Sequence, residues 1–173
     1  VDGSERDEGF LPAPRTWHCF GCDPNHAKGL RLRFTAPAPD SLRSEFTVSD
    51  DYTGFVSIVH GGIIATIFDD VMMWCLLRHR RRFFVTTEMN QQLLRPALAG
   101  QPLRAEARIA EEDGERVVLE ASLVALDAPG RPLAEGAGTF VPLPSRLLDV
   151  VPTDQREEME RLFTEFAEED VAS

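Results

Sequence analysis

The chain of 173 residues is short of basic charge, of paired cysteines and of long apolar runs. Lys and Arg number 18 against 29 Asp and Glu, a formal net charge of -11, and this deficit argues against nucleic-acid binding, which rests on a basic surface. The start of the chain shows no basic segment followed by an apolar one, so no export signal is expected. Three cysteines, an odd number, read as reduced thiols in a cytoplasmic protein. The longest apolar run, 63–77, falls short of the roughly 20 residues a membrane helix needs. Its two central acids would add about 2.5–3.5 kcal/mol each on insertion, so a membrane span is rejected.

What is present suits one domain with a real core: 43% hydrophobic and 27% charged residues are ordinary for a globular chain. Three regions are expected. Residues 1–16, acidic and then rich in proline, read as a flexible N-terminal arm. Residues 17–145 form the main domain, and residues 146–173 an acidic tail. Within that tail Met159, Leu162, Phe163 and Phe166 recur at helical spacing.

In the main domain, Leu30 to Phe34 alternates apolar and basic residues, as does Leu42 to Val48 with polar ones, and the two are expected to pair as a hairpin. Ser49 to Val59 reads as a loop. Four strand-like segments follow the apolar run: Phe83–Leu94, Leu103–Ile109, Val117–Leu126 and Leu133–Val141. Two short strands, one buried helix and a four-strand meander give an α+β pattern with a mostly antiparallel sheet.

The chemistry gathers in and around the helix expected after His60. Residues 63–77 are apolar almost all the way round, so this helix is buried on all sides. It nevertheless carries Asp69 and Asp70, which need partners or shifted pKa values there. Gly61 and Gly62 stand where the helix begins, and unpaired N–H groups at a helix start suit a developing oxyanion. Asp69 lies nine residues after His60, roughly 13 Å along the axis at about 1.5 Å per residue. The Gly61 amide and Asp69 of one chain therefore cannot grip the same atom, and a shared site needs two subunits.

Two further clusters stand out. Arg78-His79-Arg80-Arg81-Arg82 is the one strongly basic stretch, read either as a solvated helix end or as a phosphate contact. Cys19-x-x-Cys22, flanked by His18 and His26, carries zinc-type donors. A second ligand pair at a comparable spacing is missing, so no metal is assigned.

His60-Gly61-Gly62 with an acid nine positions on, Gly54, Cys19-Phe20-Gly21-Cys22 with Gly29-Leu30, and Val85-Thr86-Thr87-Glu88-Met89-Asn90 with Leu94-Arg95-Pro96 together resemble the PaaI-like acyl-CoA thioesterases of the hotdog superfamily. The resemblance covers roughly residues 17–142. It implies a hotdog fold, an antiparallel sheet of about five to six strands wrapped around a long central helix, in a homodimer or a dimer of dimers. It implies Asp69 as general base or nucleophile, the Gly61 amide as oxyanion donor, His60 near the thioester oxygen, and Thr86 positioning the attacking water. Gly62, Ser57, Arg80, Arg81 and Arg82 are the substrate-binding candidates. The substrate would be an acyl-CoA, with no cofactor beyond the CoA it carries. Gly54 departs from relatives that have Asn or Gln near this point. Two other readings are a non-catalytic hotdog module that binds acyl-CoA or an acyl lipid, and a zinc-stabilised interaction domain.

Overall fold

The computed structural model describes residues 9–172. Residues 1–8, the first half of the expected arm, lie outside the described residues. The apolar run becomes one helix, α1 (Gly61–Arg80). The His60 side chain caps its start, accepting from the Gly62 N–H, and Arg81 ends it in a left-handed conformation with its N–H on Leu77 O. Ile64, Ile67, Phe68, Val71, Met72, Trp74, Leu76 and their neighbours are buried. Each such side chain contributes about 1.5–3 kcal/mol when removed from water, which is why the remaining elements assemble around this rod.

The wrapping layer is a five-stranded antiparallel sheet of β1 (Ser41–Phe46), β4 (Phe84–Leu93), β5 (Leu103–Asp113), β6 (Arg116–Ala125) and β7 (Ala134–Pro142), in the order β1-β5-β6-β7-β4. All five strands contact α1. At Gly136 on β7, an added Cβ would lie 2.8 Å from Phe68 of α1, so glycine there lets the helix settle closely on the sheet. A separate pair, β2 (Thr53–Phe55) and β3 (Ile58–Val59), occupies part of the expected loop.

Two expectations are corrected. The four later strands are not a simple meander: β5, β6 and β7 are, but β4 crosses to the far side of β7 and forms an edge. Residues 30–34 do not form a strand. Arg31 adopts a left-handed φ of 55°, which interrupts extended pairing, and only Thr35 bridges to Arg43 of β1. The alternation was still meaningful, since Leu32 and Phe34 are buried and Arg31 and Arg33 exposed. Their backbone partners lie instead in the preceding segment: Leu30 N–H bonds Phe20 O, Leu32 N–H bonds Gly21 O, and Leu11 N–H bonds Phe34 O. Residues 11–34 thus form a strap across α1.

The tail continues as α2 (Ser145–Leu148) and α3 (Thr153–Ala172). Leu162 and Phe166 of α3 are fully buried, with the Phe166 ring 6.4 Å from Trp74 of α1 and the Phe163 ring 5.6 Å from Phe83. The acidic helix therefore packs on its own chain. Among the described residues, no helix is long and apolar enough to cross a membrane.

Glu158 of α3 fastens the strap. Its carboxylate accepts from Arg161 at 2.7 Å and from the Arg15 N–H at 2.5 Å, while Arg161 also donates to Ala13 O. Burial raises the Glu158 pKa, but these hydrogen bonds outweigh burial and hold it below the usual 4.5. A depressed carboxylate stabilises the fold above its unfolded pKa and loses that contribution as pH falls through the folded value. Glu158→Gln is expected to flatten the acid side of the stability curve, as pH falls below the usual carboxylate value of 4.5, in urea unfolding followed across pH. An unchanged slope would show that the pair contributes nothing to folding.

Candidate active site

The start of α1 separates the two glycine amides. Gly62 N–H is taken by His60 Nδ1 at 2.9 Å. Gly61 N–H, the first of the helix, has no acceptor among the described residues. His60 is itself positioned from behind: its N–H donates to Tyr52 O at 2.9 Å, and an added Cβ at Gly54 would lie 3.1 Å from its imidazole. With Nδ1 accepting, the ring carries its proton on Nε2, which is left to donate outward. Gly54 thus makes room for the His60 ring. Ser57 is exposed in the β2–β3 turn.

Two turns further on, Asp69 is half-buried and accepts a 2.7 Å hydrogen bond from Thr86 Oγ1 of β4. A bulge in the β4–β7 register falls between Thr86 and Glu88. Ahead of it Phe84 and Thr86 turn toward the helix; beyond it Met89 and Gln91 do, so the inward face changes parity at the bulge. Gln91 follows from that change. Its Nε2 donates to Gly61 O at 3.2 Å, and its Oε1 is buried without a partner. Plain alternation from Thr86 puts Gln91 on the outer face, so nothing in the sequence short of the bulge marked it.

The structure therefore brings together Asp69 with Thr86, and His60 and Gly61 with Gln91. Within one chain the two groups stay apart, since eight residues of helix span about 12 Å. The arginine cluster lies at the opposite end of α1 and is met by acids. Arg80 binds Asp40 at 2.8 Å and Glu112 at 2.6 Å, Arg78 and Arg81 share Asp170, and Arg82 reaches Glu115 at 3.1 Å.

Asp70 faces the strap instead of β4. Its Oδ1 accepts from Cys19 Sγ at 3.4 Å, and Cys22 N–H also points to Cys19 Sγ at 3.4 Å. Burial, followed by the Cys19 charge, pushes the Asp70 pKa well above the ordinary carboxylate value. The Cys22 thiol bond, with the Cys22 and Gly21 N–H groups, lowers Cys19 to about 6 despite burial. Cys22 moves the opposite way, raised by Cys19 and by burial.

Residues 57–128 match the thioesterase superfamily profile. Human acyl-coenzyme A thioesterase 13 is 24% identical over 110 residues, covering 63% of this chain and 78% of that protein. The PaaI protein of the E. coli phenylacetic acid degradation operon superposes with a TM-score of 0.61 at 19% identity, covering 68% of this chain and 83% of that one. A crystal structure of another thioesterase superfamily protein gives a TM-score of 0.65 at 22% identity, covering 72% of this chain. The present chain spans 60% of that protein's length. These likenesses bear out the hotdog architecture expected from the sequence.

Position 21 is sterically closed by the site itself. An added Cβ would lie 1.6 Å from Asp70 Oδ2. Gly21→Ala is expected to displace the strap or the Asp70 carboxylate, at a cost of about 1–3 kcal/mol in urea unfolding. Wild-type stability in that variant would mean that the carboxylate is not seated under the turn.

Proposed function

We infer that this chain, whose residues 57–128 belong to a PaaI-like hotdog domain of the thioesterase superfamily, hydrolyses an acyl-CoA thioester to the free acid and CoA. The observation that carries the reading is the Asp69–Thr86 hydrogen bond. It fixes one carboxylate oxygen in the middle of a mostly apolar helix and leaves the other free to take a proton or attack carbon. As base, Asp69 removes a proton from water while the hydroxide adds to the thioester carbonyl. The Gly61 N–H, joined by His60 Nε2–H, receives the oxyanion. Collapse expels the CoA thiolate, which takes the proton back from Asp69. Attack by Asp69 itself would instead give an anhydride that water then opens; solvent oxygen labelling in a single turnover distinguishes the two routes.

The Gly61 and Asp69 that serve one substrate belong, on this reading, to two subunits. The supporting surface is β4, ten residues long with one side unpaired at the sheet edge, a ready template for a second copy. In the β2–β3 hairpin that precedes α1, Phe55 and Val56 are 76% and 77% exposed, with Val56 in a strained left-handed φ of 53°. A two-fold axis perpendicular to β4 would pair two copies antiparallel along this edge and bring the start of one α1 toward the middle of the other. Of the substrate-binding arginines, Arg80 is held by two carboxylates; Arg81 and Arg82 face outward and are the candidates for CoA phosphate contacts.

Asp69→Asn is expected to lower kcat on the best acyl-CoA of a chain-length panel by about 10²–10⁴. Thr86→Val should cost about tenfold or more, as befits a hydrogen bond to a charged group. Full turnover by Asp69→Asn would sink the catalytic assignment. Tight acyl-CoA binding by the wild type with no turnover across the panel would leave a non-catalytic binding module.

Gly61→Pro removes one N–H at the first helical position, where proline is otherwise favoured. It is expected to lose about 10²–10³ in kcat. Mixing and re-equilibrating Gly61→Pro with Asp69→Asn tests the shared site: half the dimers become hybrids with one intact site, restoring about a quarter of wild-type activity. No recovery in verified hybrids would place both groups in one chain's site.

A further inference from the structure

Three acids converge beneath the strap, and among the described residues no cation pairs with them. Cys19 Sγ, Cys22 Sγ and an Asp70 carboxylate oxygen all lie within 4.8 Å of one another. Among the described residues Asp70 makes no salt bridge, although its neighbours on this face are two thiols. A desolvated carboxylate without a cation is costly unless it is protonated or bound to a metal. The strap is also shaped to the group, since the Asp70 carboxylate fills the space a side chain at position 21 would need.

We propose that Cys19, Cys22 and Asp70 bind a zinc ion that ties the strap to α1. The donors are those zinc prefers, thiolate sulfur and carboxylate oxygen. Bond lengths of about 2.3 Å to sulfur and 2.0–2.2 Å to oxygen place tetrahedral donors roughly 3.4–3.8 Å apart. The observed Cys19 Sγ to Asp70 Oδ1 separation of 3.4 Å fits. Binding releases to solvent whatever protons the two thiols and the carboxyl hold. The three anionic donors and Zn²⁺ leave one net negative charge, moderated by the Cys22 N–H aimed at Cys19 Sγ. A water completes the fourth position.

The site stands independently of the thioesterase reading, because its residues face away from Thr86 and β4. Its consequence is mechanical. Asp70 follows Asp69 in sequence, so a metal held between it and residues 19–22 fixes the rotation of α1 at the turn that carries Asp69. The C-x-x-C pair alone lacked a second pair of ligands in the sequence. The third donor comes from 48 positions beyond Cys22, on the helix, and only the fold reveals it.

The test uses the full chain purified under reducing conditions from zinc-supplemented culture. Elemental analysis is expected to find one zinc per chain. Cobalt exchange should give a thiolate-to-metal charge-transfer band with the intensity of two thiolates, and zinc should protect Cys19 from alkylation. Asp70→Asn and Cys22→Ser should each weaken zinc in chelator competition by more than about tenfold. If Cys22→Ser does not fold, the cobalt spectrum of the wild type still counts the thiolates. The proposal is overturned if the reduced chain takes up neither zinc nor cobalt, if Cys19 alkylates equally with and without zinc, or if Asp70→Asn binds zinc as tightly as the wild type.

Discussion

Two adjacent carboxylates on a helix that is apolar nearly all round form the constraint on which the rest of the structure depends. Consecutive residues on an α-helix point about 100° apart, so Asp69 and Asp70 cannot share a solution. Asp69 turns to β4, where Thr86 donates to it. Asp70 turns to the strap, where two cysteines and a bare glycine receive it. The sheet and the strap are thus each anchored to α1 through one acid, and the remaining surface of the rod is closed by ordinary packing of Phe68, Met72, Trp74 and Leu76.

Much of this was legible in the sequence because it depends on local signals. The helix declared itself through its uninterrupted apolar run and its glycine start, and the capping His60 stands where the motif puts it. Gly61, Gly62, Asp69 and Thr86 all fall at the helix start, on the helix or on the neighbouring strand, as read. What escaped depends on single backbone choices or on distant partners. Arg31 in a left-handed conformation turned an apparent strand into a strap. One extra residue at the Thr86–Glu88 bulge exchanged the inward face of β4, which brought Gln91 to Gly61 O. The crossover that carries β4 beyond β7 has no local signature, since a strand's sequence reports its two faces and not its neighbours.

The arginine cluster shows the same limit for charge. In an acidic chain a run of basic residues reads as a site for a foreign anion, yet here Asp40, the β5–β6 hairpin with Glu112 and Glu115, and Asp170 supply carboxylates from three separate segments. These pairs are mostly exposed and individually weak. Their arrangement matters more than their energy, because Asp170 ties the end of α3 to the end of α1 while the arginines complement the helix dipole there. Any phosphate must therefore compete with acids already in place, and Arg82, 55% exposed, is the easiest of them to redirect.

The division of labour along α1 also draws on parts of the chain on either side of residues 57–128. Residues 57–128 contain the helix, β4 to β6 and the hydrogen bond on Asp69. They contain nothing that receives Asp70. That task falls to residues 19–22, which precede the segment, and the strap carrying them is in turn held by Glu158 and Arg161 of α3, which follows it. The two flanking regions meet each other across α1, so removing α3 would loosen the strap and leave Asp70 facing water one residue from Asp69. The terminal regions thus act on the candidate site through the helix they clasp, and α3 also holds Arg81, a substrate-binding candidate, through Asp170.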